Sequence, residues 1–159
     1  MTIEATAAVR RPAYDPATFV RAFAEAWARP DPDRLAALLH PDARLVAPLM
    51  TTTIGRAAGR EELRRLILLW PDVRIEVVRW SAAGDVVFIE IVMAATFAGH
   101  PLRIPAVDRI VLEDGLVRER VTYVSDPLAL VATLATRPSG WRRWWRSGIG
   151  PPRRRCRLG

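Results

Sequence analysis

Apolar residues change their spacing part-way along the chain. Up to Trp70 they recur every three or four positions, the period of a helix with one buried face; beyond Val73 they alternate with polar residues, the period of a half-buried strand. Asp15-Pro16 opens the first helix, with Asp as N-cap and Pro at the first helical position, and Phe19, Val20, Phe23, Ala26 and Trp27 form its stripe. Pro30-Asp31-Pro32-Asp33 ends it and caps a second, shorter helix carrying Leu35, Leu38 and Leu39. His40-Pro41-Asp42 reads as a turn into a strand over residues 43–47. Gly59 precedes a third helix over residues 60–70, which would bury Leu63, Leu66, Ile67 and Trp70 before Pro71-Asp72 stops it.

The remainder is strand signal. Residues 73–80 alternate, Ala83-Gly84-Asp85 turns, residues 86–97 form a long β-rich run, and Gly99-His100-Pro101 turns again. Residues 102–126 then read as two long strands joined at Glu113-Asp114-Gly115. A short helix over residues 128–135 follows Asp126-Pro127, and Pro138-Ser139-Gly140 marks its end. Three helices followed by a meander of long strands predict an α+β fold, a curved antiparallel sheet packed against the three N-terminal helices, with a short helix at the C-terminal end. Residues 1–14 read as a flexible arm, 15–137 as the domain, and 138–159 as a partly disordered Trp/Arg-rich tail.

Composition narrows the function classes. Half of the 159 residues are hydrophobic, which suits a globular body. All 24 basic residues are Arg, and seven of them fall in residues 141–159 beside no acid, so the formal +7 belongs to the tail. The body is balanced and gives no footprint for specific nucleic-acid binding. A lone Cys156 excludes an internal disulfide and a Cys-based zinc site, and His40 and His100 lie too far apart in the pattern to start a metal set. No metal or cofactor is therefore expected. No apolar run is long enough to span a membrane and the first residues do not read as a secretory signal, which leaves the cytoplasm as the default location.

The acid that stands out is Asp108, set in an apolar run between Ala106-Val107 and Ile110-Val111-Leu112. Strand alternation puts it on one face with Ile104, Ala106 and Ile110. A buried carboxylate must hold its proton or find a partner. It is then either a functional acid in a pocket or half of a structural ion pair with Arg120 or Arg109.

The order of elements resembles the nuclear transport factor 2-like superfamily, a cone-shaped fold, and within it the SnoaL-like, polyketide cyclase-like branch. The residues that carry the resemblance are His40-Pro41-Asp42-Ala43 after two helices, Gly59-Arg60-Glu61-Glu62 at the third, Val107-Asp108 entering a strand, and Glu113-Asp114-Gly115 before the last one. Ketosteroid isomerases of this superfamily use a base Asp, a Tyr on the first helix and a late-strand Asp that donates to an oxyanion. Only the last has a counterpart here, Asp108; the other two positions fall on Ala47 and Phe23. The Asp-Arg-Asp set of limonene-epoxide hydrolases falls on Ile91, Met93 and Thr122.

The resemblance implies a cup lined by Phe23, Trp27, Ala47, Met50, Ile91, Met93, Ala106, Thr122 and Val124, with Asp108 and Arg120 as its catalytic pair. It implies a cofactor-independent enzyme doing proton-transfer chemistry on an apolar carbonyl, polyketide-like or terpenoid-like molecule. The alternative is a non-catalytic binding or assembly module of the same fold. A homodimer through the outer sheet face, with Trp80 and Phe88 serving it, is a further expectation. The tail's Trp141, Trp144 and Trp145 either pack back on the domain or touch an anionic surface.

Overall fold

The computed structural model describes residues 14–149. Helix α1 (Pro16–Ala28) begins as the capping signal requires: the Asp15 carboxylate accepts hydrogen bonds from the backbone N–H of Ala17 and Thr18. Helix α2 (Pro32–Ala37) is capped in the same way by Asp31. It is shorter than its apolar pattern suggests, because Leu39 already belongs to strand β1 (Leu39–Val46). The predicted His40-Pro41-Asp42 turn is thus an irregular start to that strand, with a register break between Leu39 and Arg44. His40 lies in that start, and its Nδ1 accepts the Asp42 backbone N–H at 3.2 Å.

After the two-residue strand β2 (Thr53–Ile54), helix α3 runs from Arg56 to Leu69. Its N-cap is Gly55, at φ +93°, and Gly59 lies inside the helix. The glycine at 59 serves packing rather than initiation, since a Cβ there would come within 2.8 Å of a Leu39 methyl and 3.1 Å of a Leu45 methyl. Leu69, at the end of α3, is fully buried beside the predicted Leu63 and Leu66, while Ile67 is only half-buried.

Four long strands follow: β3 (Arg74–Ala83), β4 (Val86–Phe97), β5 (His100–Glu113) and β6 (Leu116–Val124). The β4–β5 turn is made by Ala98 and Gly99, both at positive φ, and the β5–β6 turn by Asp114 and Gly115 in the same way. Such turns match the right-handed twist of the strands they join. His100 therefore starts β5 rather than sitting in the turn. The sheet order is β2-β1-β6-β5-β4-β3, antiparallel except where β1 lies parallel to β6. This is the expected curved sheet with helices packed on it, and its only parallel pair joins the two halves of the chain.

Two bulges decide which side chains face inward. An extra residue between Val77 and Arg79 flips the alternation of β3, so Trp80 pairs with the buried Ile89 and shares the concave side. Phe88 stays on the outer face, opposite Arg109. A second irregularity between Val111 and Leu112 lets Val117 and Leu112 pair inward while Arg120 still lies opposite the buried Ile110.

The C-terminal part closes one end. Helix α4 (Pro127–Ala135), capped by Asp126, buries Leu130 and Leu134; a 3-10 turn (Pro138–Gly140) leads into α5 (Trp141–Ser147). Gly140 lies against Phe97, where any Cβ would meet the ring at 2.3 Å. Trp144 packs on the core, Ile149 is buried in it, and Trp141 and Trp145 are exposed. The packed body thus continues through residues 138–149. Tyr14 also touches it, its hydroxyl 3.4 Å from the Asp85 carbonyl. The rest of the N-terminal arm and the Pro151–Arg155 run lie outside the described residues.

Candidate functional site

The concave face of the sheet, α1, α3 and the C-terminal segment enclose a cavity open on one side, about 870 Å³ of unfilled space counted out to its mouth. Its floor is Ile91 and Met93 from β4, Ala106 from β5, and Arg120, Thr122 and Val124 from β6. These are the inward positions that the family resemblance implied, aligned by the pairs Ile91–Ala106, Asp108–Thr122 and Ala106–Val124. Trp27 supplies one side wall. Ala47 and Met50 stand at the rim with Pro48, Leu49 and Thr51. Leu49 holds a positive φ of 65°, a strained setting for a branched residue. Glu62, nearly fully buried on α3, holds this rim: its Oε1 accepts the Thr51 backbone N–H at 2.9 Å, and its Oε2 lies 3.3 Å from Arg65 Nη1.

Two predicted residues stand one layer behind the wall. Asp108 is completely buried and does not line the cavity. Its Oδ1 accepts the Thr122 hydroxyl at 2.5 Å, and its Oδ2 lies 2.7 Å from Arg120 Nη2. The Arg120 N–H vectors do not line up on that oxygen, so the contact is an ion pair without hydrogen-bond alignment. Arg109, the other partner considered for Asp108, faces the opposite side and pairs with Glu119. Phe23 is likewise behind the wall. Its ring centroid is 5.3 Å from the Arg120 guanidinium carbon, and that of Trp27 is 5.4 Å away.

Arg120 is therefore held from three sides: an acid beneath it and two aromatic rings beside it. Cation–π contacts of this kind contribute about 0.5–2 kcal/mol each and fix the plane of the group. It is the one ionisable side chain among the described residues that line the cavity, and its Nε–H is buried without an acceptor among them. The other polar group on the floor, Thr122, spends its hydrogen on Asp108 and keeps its oxygen lone pairs. The arrangement is chemically simple: an apolar cup with one fixed cationic donor, suited to a carbonyl or enolate oxygen. No carboxylate or imidazole reaches the cavity surface among the described residues.

Several contributors had weak sequence signals. Trp70 reads as core from its helical spacing, and its indole also lines the cavity. Leu130, from the predicted closing helix, and Ile149, from beyond the predicted domain, close the far end. Nothing local marks Ile149, which follows a Gly and a run of Arg. Glu62 stands out in the sequence only within the Gly59–Glu62 motif; its reach to Thr51 is a tertiary fact. Among the described residues no three His, Cys, Asp or Glu side chains come together as a metal set.

Solved proteins share this fold. A protein with a ketosteroid isomerase-like fold from Catenulispora acidiphila, solved in complex with trimethylamine, superposes with a TM-score of 0.67 at 25% identity, over 77% of this chain and 95% of that one. A protein from Jannaschia assigned as a SnoaL-like polyketide cyclase gives 0.64 at 21% identity, over 77% and 91%. IdmH from Streptomyces antibioticus, also assigned as a polyketide cyclase, gives 0.65 at 20% identity, over 77% and 99%. No curated protein matches the sequence. The sequence profile of the SnoaL-like domain matches residues 20–120, from the first helix to Arg120 on the last strand, and the chain belongs to that family.

Proposed function

We propose that the cavity binds an apolar small molecule through a carbonyl oxygen held by Arg120. The observation that carries this reading is Arg120 itself, the one ionisable side chain among the described residues that line an otherwise apolar cup. A hydrogen bond from a charged donor to a bound acceptor contributes about 1.5–3 kcal/mol. The pairing with Asp108 leaves the site close to neutral, so a neutral ketone or its enol suits it better than a carboxylate. Solved relatives assigned as polyketide cyclases, and one that holds trimethylamine, support a small-molecule role in this family. Arg120 would polarise the carbonyl, Asp108 and Thr122 would set its position, and Trp27, Met50, Ile91, Met93, Ala106 and Val124 would contact the apolar body, without a cofactor.

Isothermal titration with 1-tetralone against tetralin, which differ only in a carbonyl in place of a methylene, tests this. The ketone should bind about tenfold more tightly, the margin a charge-assisted hydrogen bond leaves after desolvation. Equal affinities would refute it.

A second reading adds catalysis. The 2.5 Å hydrogen bond from Thr122 to Asp108 links the cavity floor to a buried acid, a route by which Asp108 would serve proton transfer in an isomerase- or cyclase-type reaction. It predicts hydrogen–deuterium exchange at the α-carbon of a bound ketone, lost in both Asp108→Asn and Thr122→Val. Exchange that persists in those variants, or is absent from the unaltered protein, would leave the binding reading alone.

A further inference from the structure

The C-terminal segment has two unlike faces. Inward, Leu130 and Ile149 line the cavity, Leu134 is fully buried, and Trp144 packs on the core. Outward, Leu128 is 81% exposed and Val131, Trp141 and Trp145 are also well exposed. The Trp141 Nε1–H donates to the Leu134 carbonyl at 3.1 Å, which joins the start of α5 to the end of α4. Trp141 and Trp145 are one helical turn apart, on the side of α5 away from the buried Ser147. Exposed Arg142 and Arg146 accompany them, Arg143 lies toward Asp72 of the body, and residues 141–159 carry seven Arg and no acid.

We propose that this outer face docks on an anionic lipid surface. Trp and Arg side by side suit the headgroup layer, where the indole rests at the apolar boundary and the guanidinium meets phosphate. Leu128 and Val131 extend the apolar strip beyond the aromatics. A polynucleotide offers aliphatic side chains nothing to stack on, and a second copy of the chain would bring the like charges of Arg142 and Arg146 to the same place. No described helix is long and apolar enough to cross a membrane. Docking by this face places the closing end of the cavity, at Leu130 and Ile149, against the layer in which apolar molecules dissolve.

Co-sedimentation of the full chain with phosphatidylcholine–phosphatidylglycerol vesicles tests this, with pure phosphatidylcholine vesicles as the reference. The chain should sediment only with the anionic vesicles, and binding should fall as salt rises. The double substitution Arg142→Gln and Arg146→Gln should weaken it about thirtyfold, the contribution expected of two surface Arg. Trp145→Ser should weaken it further, with thermal melting by circular dichroism confirming that each variant stays folded. Absent binding at low salt, equal binding to both vesicle types, or binding indifferent to Trp145→Ser would overturn the proposal. So would a dimer that dissociates in Trp145→Ser without vesicle binding, which would assign the face to a second copy. Tight capture of a single-stranded polynucleotide in place of vesicles would assign it to nucleic acid and overturn it equally.

Discussion

Replacing Arg120 with Gln should cost more stability than replacing its partner, Asp108, with Asn. In Arg120→Gln the Asp108 carboxylate stays completely buried, with Thr122 as its remaining hydrogen-bond partner. Breaking a buried pair so that one charge is stranded costs about 3–5 kcal/mol, a large share of the roughly 5–15 kcal/mol that holds a domain folded. Asp108→Asn strands the other charge in a gentler place. The Arg120 side chain is 14% exposed, lines an open cavity that water can enter, and keeps the rings of Phe23 and Trp27 beside it. The neutral amide also retains an acceptor for Thr122. That change should cost about 1–3 kcal/mol. In the double variant no charge is stranded, so it should be more stable than Arg120→Gln alone. Urea unfolding at neutral pH, followed by tryptophan fluorescence, reads all four proteins in one double-mutant cycle. A cost for Asp108→Asn equal to or above that of Arg120→Gln would refute the reasoning. So would a double variant whose cost is the plain sum of the two.

Gly140→Ala should destabilise the fold by about 1–3 kcal/mol, because the added methyl meets the Phe97 ring at 2.3 Å; a melting temperature within a degree of the parent's would contradict that packing. Glu62→Ala should free the Thr51 amide, so amide hydrogen exchange over residues 47–52 should accelerate while exchange in the centre of β4 and β5 stays slow; unchanged protection of Thr51 would show that the rim is held otherwise. Glu61 is held down at about 2, against an ordinary 4.5, by hydrogen bonds from Arg64 first and Arg65 after it. A depressed carboxyl adds stability above the ordinary value and loses it as pH falls toward 2. Its NMR titration midpoint should lie near 2 and climb toward 4.5 in Arg64→Gln; a midpoint already at 4.5 in the parent protein would contradict the pairing.

Much of the floor of the site was legible because strands have a period of two. Alternation puts Asp108 on the face of Ala106 and Ile110, while the family resemblance is what implied Arg120 and Thr122 beside it; the irregularity between Val111 and Leu112 supplies the register that brings the three together. The cap residues Asp15, Asp31 and Asp126 were legible for a local reason, since each makes its hydrogen bonds within three residues. What escaped depends on contacts between distant parts of the chain. The bulge that turns Trp80 inward has no composition signal of its own. Gly59 looks like a helix start and is instead a place where Leu39 and Leu45 press on a helix interior. Leu39 continues the apolar spacing of α2, yet pairing with Val117 claims it for the sheet. The closing contributions of Gly140 and Ile149 follow from docking of α5, which a run of Arg and Trp does not announce.

Whether Asp108 touches a ligand also lay beyond the pattern. Alternation fixes the face on which a side chain lies and is silent on what covers it. Here Thr122 and Arg120 cover it, and the cationic group rather than the acid is what the cavity presents.

A crystal structure of the protein soaked with 1-tetralone tests the central claim most directly. The ketone oxygen should lie within hydrogen-bond distance of the Arg120 guanidinium, about 2.7–3.1 Å, with the rings over Ile91, Met93 and Ala106. A ketone bound with its oxygen toward the mouth at Met50, and Arg120 left without an acceptor, would contradict the account.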